Sequence, residues 1–278
     1  MSVVTRSRRS AAGFAAAAIS VSLIGLALIP APAQADGPGA GTPWVASVGD
    51  SYISGEAGRW AGSSNSNSAS ADALGSTAYF DNAANTAETI ERCHRSKSAE
   101  IGIGGGINSI NLACSGAETA TDASGTYFKP GLDFYDNGAG KIGQAKALQQ
   151  FATTHNVKMV AVSIGGNDFN FASVVQSCVV DFLTSPTWWK DYCNDDSSVK
   201  ANFTSANVAA VKTRIANAFV NVRTAMRNAG YADSAWTWLV QNYPSPIPNG
   251  PGFRYGESGY GRQDTGGCGF WNSVANWS

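Results

Sequence analysis

The sequence predicts an open α/β sandwich, in which a parallel sheet is covered by helices on both faces. Apolar runs typical of strands recur at residues 44–48, 107–113, 157–164 and 236–240, and helical patterns lie between the later runs. Strands that alternate with helices form βαβ units, whose strands are parallel and whose helices pack on the sheet. We therefore expect a three-layer α/β/α open sandwich with a parallel sheet.

The helices are indicated by apolar residues spaced three or four positions apart. The longer pattern consists of Val208, Val211, Ile215, Phe219, Val222 and Met226. Gly230 is placed to end this helix, since glycine commonly follows the last helical residue. The shorter pattern runs from about residue 142 to residue 155, with Ile142, Ala145, Leu148 and Ala152 on one face.

Polar motifs follow three of the strand-like runs. Ser51 closes a Gly-Asp-Ser motif after the first run, Gly116 lies in Ala-Cys-Ser-Gly-Ala after the second, and Asn167 lies in Gly-Gly-Asn-Asp after the third. In open α/β sheets, ligands bind beyond the carboxyl ends of the strands, so these residues should converge on one site. The segment at residues 243–260 is rich in Pro and Gly, and we expect it to be a loop bordering that site, without helix or strand.

The three residues fit acyl transfer. A serine at the end of a rigid element can act as a nucleophile when a base activates it. The amide side chain of Asn167 can donate a hydrogen bond to a developing oxyanion. Gly116 has no Cβ, so its backbone N–H can approach a substrate closely.

The N-terminus resembles a secretory signal peptide. Three arginines precede an apolar stretch at residues 11–28, and the small-residue sequence Ala33-x-Ala35 follows. The alternative is a membrane anchor, because the stretch approaches the length of a spanning helix. The small-residue site favours cleavage after Ala35. We therefore expect a secreted, extracellular protein with no stable membrane anchor after cleavage and one domain at residues 36–278.

Charge and cysteine content indicate which partners, metal sites and disulfides the protein should have. Three of the nineteen basic residues and none of the twenty acidic ones lie in residues 1–35, so residues 36–278 carry a net charge of −4 and do not suggest a nucleic-acid partner. His94 and His155 are far apart and no Cys-x-x-Cys spacing exists, so no metal site is expected. An exported chain should form disulfides. Because the chain has five cysteines, one of them must remain unpaired. The five are Cys93, Cys114, Cys178, Cys193 and Cys268.

Four blocks, taken in order, resemble the GDSL or SGNH hydrolase family. They are Gly-Asp-Ser-Tyr at residues 49–52, Cys-His-Arg-Ser at 93–96, Ala-Cys-Ser-Gly-Ala at 113–117 and Gly-Gly-Asn-Asp at 165–168. They are similar to those of its secreted actinobacterial lipase/esterase branch, and the resemblance runs from about Trp44 to the end of the chain. It implies a flavodoxin-like SGNH fold and a carboxylic-ester hydrolase that needs no cofactor. The expected substrate is a small-molecule or lipid ester, and the complete protein is expected to be a monomer.

The resemblance also implies roles for individual residues. Ser51 would be the catalytic nucleophile. The N–H of Ser51, the N–H of Gly116 and the side-chain amide of Asn167 would form the oxyanion hole. Asp50 and Asp168 would support the site by holding loop N–H groups. Short loops and the resemblance together favour two disulfides, which are Cys93–Cys114 and Cys178–Cys193.

The family's catalytic histidine has no counterpart in this sequence. The family places it near the C-terminus in an Asp-x-x-His block, which this chain lacks. Cys268 stands where the branch has a half-cystine whose partner lies further on. His155 is expected at the amino edge of the sheet, and His94 is held beside Cys93. We therefore expect a C-terminally incomplete copy, truncated before the catalytic His segment and essentially inactive alone.

A non-catalytic glycan- or lipid-binding relative of SGNH hydrolases is the alternative function. Its support is the aromatic content, which includes Trp188, Trp189, Trp236, Trp238, Trp271 and Trp277. Trp236 and Trp238 lie in a strand-like run and should pack in the core. Trp188 and Trp189 lie between two cysteines and are expected to cover the core or rim the substrate groove. Retention of Ser51, Gly116 and Asn167 favours the hydrolase.

Overall fold

Parallel strands form the centre of the computed structural model, which describes residue 37 and residues 39–57, 75–258, 261–264 and 269–277. The strands are β1 (Trp44–Gly49), β2 (Asn108–Asn111), β3 (Val157–Ser163) and β4 (Thr237–Val240). In this part of the chain they form a four-stranded sheet of order β2-β1-β3-β4, and every neighbouring pair is parallel. The predicted strands and their parallel pairing are confirmed. The expected signal peptide, the cleavage site and Cys268 lie outside the described residues.

Helices alternate with the later strands, as the apolar spacing predicted. They are α1 (Ser51–Ser54), α2 (Gln144–Ala152), α3 (Phe171–Thr184), α4 (Ser197–Asn202), α5 (Ser205–Asn228), α6 (Gly261–Asp264) and α7 (Asn272–Trp277). Single 3-10 turns occur at Gly75–Tyr79, Asn167–Phe169, Cys193–Asp195 and Gly250–Gly252. Thr204 caps α5 by accepting a hydrogen bond from the backbone N of Asn207 at 3.3 Å. The helix ends at Asn228, just before the predicted Gly230.

The sheet is covered on both faces, which confirms the open α/β sandwich. On one face, Ala46, Val48, Val160 and Val162 of the sheet share a buried cluster with the apolar sides of α2 and α5. On the other face, Val45 and Ala161 pack against Ile53 of α1 and against Ala99 and Ile101. The layer opposite α2 and α5 is therefore built from the short helix α1 and a coil segment. Successive residues of β1 point to opposite faces, as the pleat requires.

A second buried cluster lies outside the sheet. It contains Val174, Cys178 and Phe182 of α3, Cys193, Val199, Phe270, and Trp271, Val274 and Ala275 at the C-terminal helix. The Cys178–Cys193 bond fastens α3 to the following turn. The guanidinium of Arg262 is buried and donates to the carbonyl oxygens of Tyr255 and Phe270. This cluster builds a wall next to the carboxyl ends of the strands.

The tryptophans divide into buried and exposed sets. Trp236 is buried and packs 4.6 Å from Trp238, so both belong to the core region as expected. The expectation for Trp188 and Trp189 was wrong, because each is 79% exposed and neither lines the cavity described below. The second buried cluster is filled instead by other aromatic rings, among them those of Phe182 and Trp271, which meet at 4.9 Å.

In the described part of the chain, no helix has the length and apolarity to cross a membrane.

Candidate active site

Ser51 begins helix α1, two residues after the end of strand β1. The turn depends on Gly49, which has a φ of +138° and whose Cβ, if present, would lie 1.8 Å from the carbonyl oxygen of Ser163. Only glycine fits this close approach of two strands. Asp50 caps the helix, since its carboxylate accepts a hydrogen bond from the backbone N of Tyr52 at 3.2 Å. The serine side chain is thus placed at the carboxyl edge of the sheet.

A buried glutamine clamps the same turn. Gln144 accepts from the backbone N of Gly49 at 2.6 Å and donates to its carbonyl oxygen at 2.9 Å. Its amide also donates to the carbonyl oxygen of Pro130 at 2.7 Å. Gln144 belongs to none of the motifs that indicated the site and lies 95 residues beyond Gly49, so no local pattern predicted this role. Gln144 therefore fixes the Ser51 turn from the first residue of α2.

Asp50 is a buried carboxyl, only 1% exposed. Burial raises its pKa from 3.8 to about 6, and the nearby charge of Asp168 raises it too. Hydrogen bonds from the Tyr243 hydroxyl and the Tyr52 backbone N act in the opposite direction. Burial also raises the pKa of the Tyr243 phenol. The phenol therefore stays protonated, and its O–H donates a hydrogen bond to Oδ2 of Asp50.

Asn167 stands beyond the end of β3, in the first position of the 3-10 turn Asn167–Phe169. Its side-chain Nδ2 donates to the carbonyl oxygen of Ala117 at 2.8 Å. An amide nitrogen carries two protons, so this bond fixes the plane of the side chain and leaves a second N–H. The contact joins the Asn167 turn to the loop that follows β2.

Asp168 supports the same loop. Its carboxylate accepts from the backbone N of Thr119 at 3.0 Å and from the Thr119 hydroxyl at 2.6 Å. Arg214 of α5 donates to it from Nε at 3.0 Å. Asp168 therefore binds a loop N–H, and Arg214 balances its buried charge. Neither Thr119 nor Arg214 lies in a motif that pointed to the site.

Gly116 lies in the loop after β2 with a φ of +77°, a conformation that favours glycine. The loop stays beside the Ser51 turn, because the backbone N of Cys114 donates to the carbonyl oxygen of Gly49 at 3.0 Å. Lys129 holds it from the other side by donating from Nζ to the carbonyl oxygen of Ser115 at 2.7 Å. The Cys93–Cys114 bond anchors its start. Gly116 does not itself line the cavity.

An apolar cavity of about 720 Å³ opens next to Ser51. Asp50, Ser51, Tyr52, Gly166 and Asn167 are among the residues that line it. The remaining walls come from α3, the residue after α4, the loop after β4 and the C-terminal segment, with Phe171, Val174, Val175, Cys178, Phe203, Tyr243, Pro244, Ser245, Pro246, Ile247, Phe270 and Trp277. The Pro- and Gly-rich segment thus borders this cavity. It differs from the expectation in one short 3-10 turn, Gly250–Gly252.

Neither histidine lines this cavity. Nδ1 of His94 lies 2.8 Å from Oε1 of Glu56, and its ring stacks on Tyr79 at 4.6 Å. The other oxygen of Glu56 accepts from the Ser115 hydroxyl at 2.7 Å. His155 packs 5.0 Å from the ring of Trp44, the first residue of β1, at the amino edge of the sheet. Among the described residues, no group of three His, Cys, Asp or Glu side chains is placed to hold a metal ion.

The chain has a distant structural relative. It is similar to the extracellular lipase from Streptomyces rimosus, with 22% sequence identity and a TM-score of 0.39. The match covers 85% of this chain and 72% of the lipase. No family model and no curated protein matches the chain.

Proposed function

We propose that this chain is a secreted carboxylic-ester hydrolase, a lipase or esterase that works through an acyl-enzyme on Ser51. The observation that carries the proposal is that Ser51 and Asn167 line the same apolar cavity, and that the residues before them, Asp50 and Gly166, are bonded to one tyrosine hydroxyl. A serine at a strand end and a fixed side-chain amide are the two groups that acyl transfer needs from the protein before a base is added. A site that only binds a ligand has no need of both.

The backbone supplies the other oxyanion donors. In the described residues, no protein acceptor is bonded to the N–H of Ser51 or to that of Gly116. The loop of Gly116 is held to the Ser51 turn by the bond from Cys114 to Gly49. We assign both N–H groups to the oxyanion hole together with Nδ2 of Asn167. Removing one such donor typically lowers the rate by about 10²- to 10³-fold.

The reaction then follows from these positions. The Ser51 hydroxyl oxygen attacks the ester carbonyl carbon, and the carbonyl oxygen becomes an anion that accepts hydrogen bonds from the three donors. The Ser51 proton passes to a base in the solvent, and collapse of the intermediate expels the alcohol, which takes up a proton from the solvent. Water then attacks the acyl-enzyme through a second oxyanion, the Ser51 oxygen regains a proton as its bond to the acyl carbon breaks, and the carboxylic acid is released.

The walls of the cavity favour an ester with an apolar acyl group. Phe171, Val174, Val175 and Ile247 are among the residues that face the space. Burial of a methylene group is worth about 0.8 kcal/mol, so such walls bind a hydrocarbon chain and exclude a polar sugar. The proposed substrate is therefore a small-molecule or lipid ester.

The weak point of the site is the general base. The chain has two histidines, and both lie outside the cavity lining. A serine hydroxyl without a base is a poor nucleophile. Oxyanion stabilisation and binding alone leave roughly 10³- to 10⁴-fold acceleration over the uncatalysed reaction in a triad protease. We propose that this chain alone turns over slowly, at about that level.

Imidazole added to the solution tests the proposal, because it can act as the base that the cavity lacks. Hydrolysis of p-nitrophenyl butyrate is measured with and without imidazole for the wild type and for Ser51→Ala. Imidazole cleaves p-nitrophenyl esters by itself, so the rate in the same imidazole buffer without protein is subtracted from each measurement. We expect imidazole to raise the wild-type rate to about tenfold or more above that of Ser51→Ala. Ser173→Ala, which removes an exposed hydroxyl on α3, is the matched control and should behave as wild type. Equal rates for Ser51→Ala and wild type would refute Ser51 as the nucleophile.

The alternative is a non-catalytic protein that holds a lipid or glycan. The absence of a histidine from the described cavity lining favours it, and Trp188 and Trp189 are exposed enough to meet a partner surface. The same experiment separates the two functions. A binding protein would show saturable ligand binding in the cavity with no Ser51-dependent hydrolysis at any imidazole concentration.

A further inference from the structure

We infer that Tyr243 is a positioning residue for the proposed reaction, because its hydroxyl joins the residue before Ser51 to the residue before Asn167. The inference rests on the hydrolase function proposed above. It adds a residue that belongs to none of the motifs that indicated the site.

The bridge consists of two hydrogen bonds to one oxygen. The Tyr243 hydroxyl donates to Oδ2 of Asp50 and accepts from the backbone N of Gly166 at 3.0 Å. Asp50 directly precedes Ser51, and Gly166 directly precedes Asn167. One phenol therefore sets the distance between the turn of the nucleophile and the turn of the amide donor.

The ring is held so that the hydroxyl has little freedom. It packs edge-to-face against Tyr52, with ring centroids 4.9 Å apart and an interplanar angle of 79°. It also lies against Gly166, where a Cβ would approach its Cζ to 3.3 Å. Tyr243 also lines the cavity. A ring held by these two contacts can act as a rigid spacer between the two turns.

The charge of Asp50 decides which way the phenol proton points. Three groups act on the Asp50 carboxyl. They are the phenol of Tyr243 on the loop after β4, the backbone N–H of Tyr52 in α1, and the charge of Asp168 in the turn after β3. Arg214 of α5 balances Asp168. A carboxylate only accepts hydrogen bonds, so the phenol proton goes to Asp50 and an oxygen lone pair is left for the Gly166 N–H. The direction of both bonds is thus fixed.

Replacing Tyr243 by Phe removes both bonds and keeps the ring. Asp50 then loses a donor that opposes the effect of burial, so its pKa should rise above about 6. The two turns lose their common partner, and a misplacement of about 1 Å between reacting groups can lower the rate by about 10²-fold. We expect kcat to fall by about 10- to 100-fold with little change in KM, since substrate contacts remain.

Tyr231 provides a matched control at the opposite edge of the sheet. Its hydroxyl accepts from the backbone N of Val157 at 2.9 Å and donates to the carbonyl oxygen of His155. Tyr231→Phe therefore removes the same group and the same kinds of bond, far along the strands from Ser51. Both variants are compared with wild type for kcat and KM on p-nitrophenyl butyrate in imidazole. The titration of the Asp50 carboxyl is followed by ¹³C NMR.

The expected result is a lower kcat and a raised Asp50 pKa in Tyr243→Phe only. A wild-type kcat in Tyr243→Phe, or an equal loss in both variants, would overturn the positioning role. If the wild type shows no Ser51-dependent hydrolysis, the hydrolase proposal fails by itself and the titration still decides the bridge. An Asp50 titration that is the same in Tyr243→Phe and wild type would then overturn it, and a raised pKa in that variant alone would support it.

Discussion

Asp50 shows how a single residue can serve a site at a cost in stability. Its side chain caps α1 and accepts the Tyr243 hydroxyl, so it must be an acceptor that reaches two groups. It is also 1% exposed, and burial disfavours its charged form. An amide side chain at this position would reach the same atoms but could also donate a hydrogen bond. The ionised carboxylate can only accept, so it keeps the phenol proton directed at it.

Asp50 should make the protein less stable as the pH rises. Its pKa is about 6 in the folded chain and near 3.8 when unfolded, so the folded state holds this proton more tightly. The contribution to stability is complete below about pH 4 and is lost as the pH passes through about 6. A shift of about two units corresponds to about 3 kcal/mol. We expect the free energy of unfolding to fall by up to that amount between pH 4 and pH 7 because of Asp50.

Urea unfolding at several pH values checks this. Asp50→Asn should lose this part of the pH dependence. Asp181 also has a pKa raised to about 6, by burial and by neighbouring carboxylates, but it is present in both proteins and cancels in the comparison. Parallel stability curves for wild type and Asp50→Asn would show that Asp50 has an ordinary pKa.

At the scale of elements, α3 both packs in the buried cluster outside the sheet and lines the cavity. Phe182, near its C-terminal end, is buried against Trp271, in the cluster outside the sheet. Val174, Val175 and Cys178, nearer its N-terminal end, line the cavity. The helix follows directly on the Asn167 turn, so the residues that would bind the acyl group and the residue that would bind the oxyanion come from one continuous segment.

Filling the cavity from α3 should shorten the acyl chain that the site accepts. Val175→Phe adds a ring where Val175 lines the cavity. We expect hydrolysis of p-nitrophenyl decanoate to fall by about tenfold and that of the acetate to stay within about twofold, because pocket contacts worth 1–3 kcal/mol discriminate by that order. Gln176→Phe, at an exposed position of the same helix, is the control. An equal loss on both esters would mean that the acyl chain lies elsewhere.

At the scale of the whole molecule, two disulfides brace the regions around the site. Cys93–Cys114 closes a loop with a sequence separation of 21 and anchors the segment that carries Gly116. Cys178–Cys193 has a separation of 15 and anchors α3, which forms the cavity wall. Both cross-links restrict the unfolded chain, and neither takes part in the sheet.

Each bridge should stabilise the fold by about 3 kcal/mol, the value that loop-closure entropy gives for loops of this length. The double variants Cys93→Ala/Cys114→Ala and Cys178→Ala/Cys193→Ala are each compared with wild type by urea unfolding. We expect similar losses of unfolding free energy in the two, because loop closure depends only weakly on length. A loss below about 1 kcal/mol in either would show that the bridge does not form in solution.

The sequence by itself determined the layered fold and the residues at the strand ends. The apolar runs and the spacing of Val211, Val222 and Met226 are local patterns, and these three residues lie on the buried face of α5. Because the strands are parallel, their carboxyl ends lie at one edge, so Ser51 and Asn167 had to fall near each other. Both kinds of signal are contained in a few neighbouring residues.

Only the tertiary structure decided which other residues complete the site. The bond between Tyr243 and Asp50 spans 193 positions, the one between Tyr243 and Gly166 spans 77, and the one between Gln144 and Gly49 spans 95. No spacing rule links such residues, because each pair is brought together by the order of strands in the sheet. The exposure of Trp188 and Trp189 likewise followed from no local pattern. Local periodicity specifies elements, and the packing of those elements specifies the partners of each polar group.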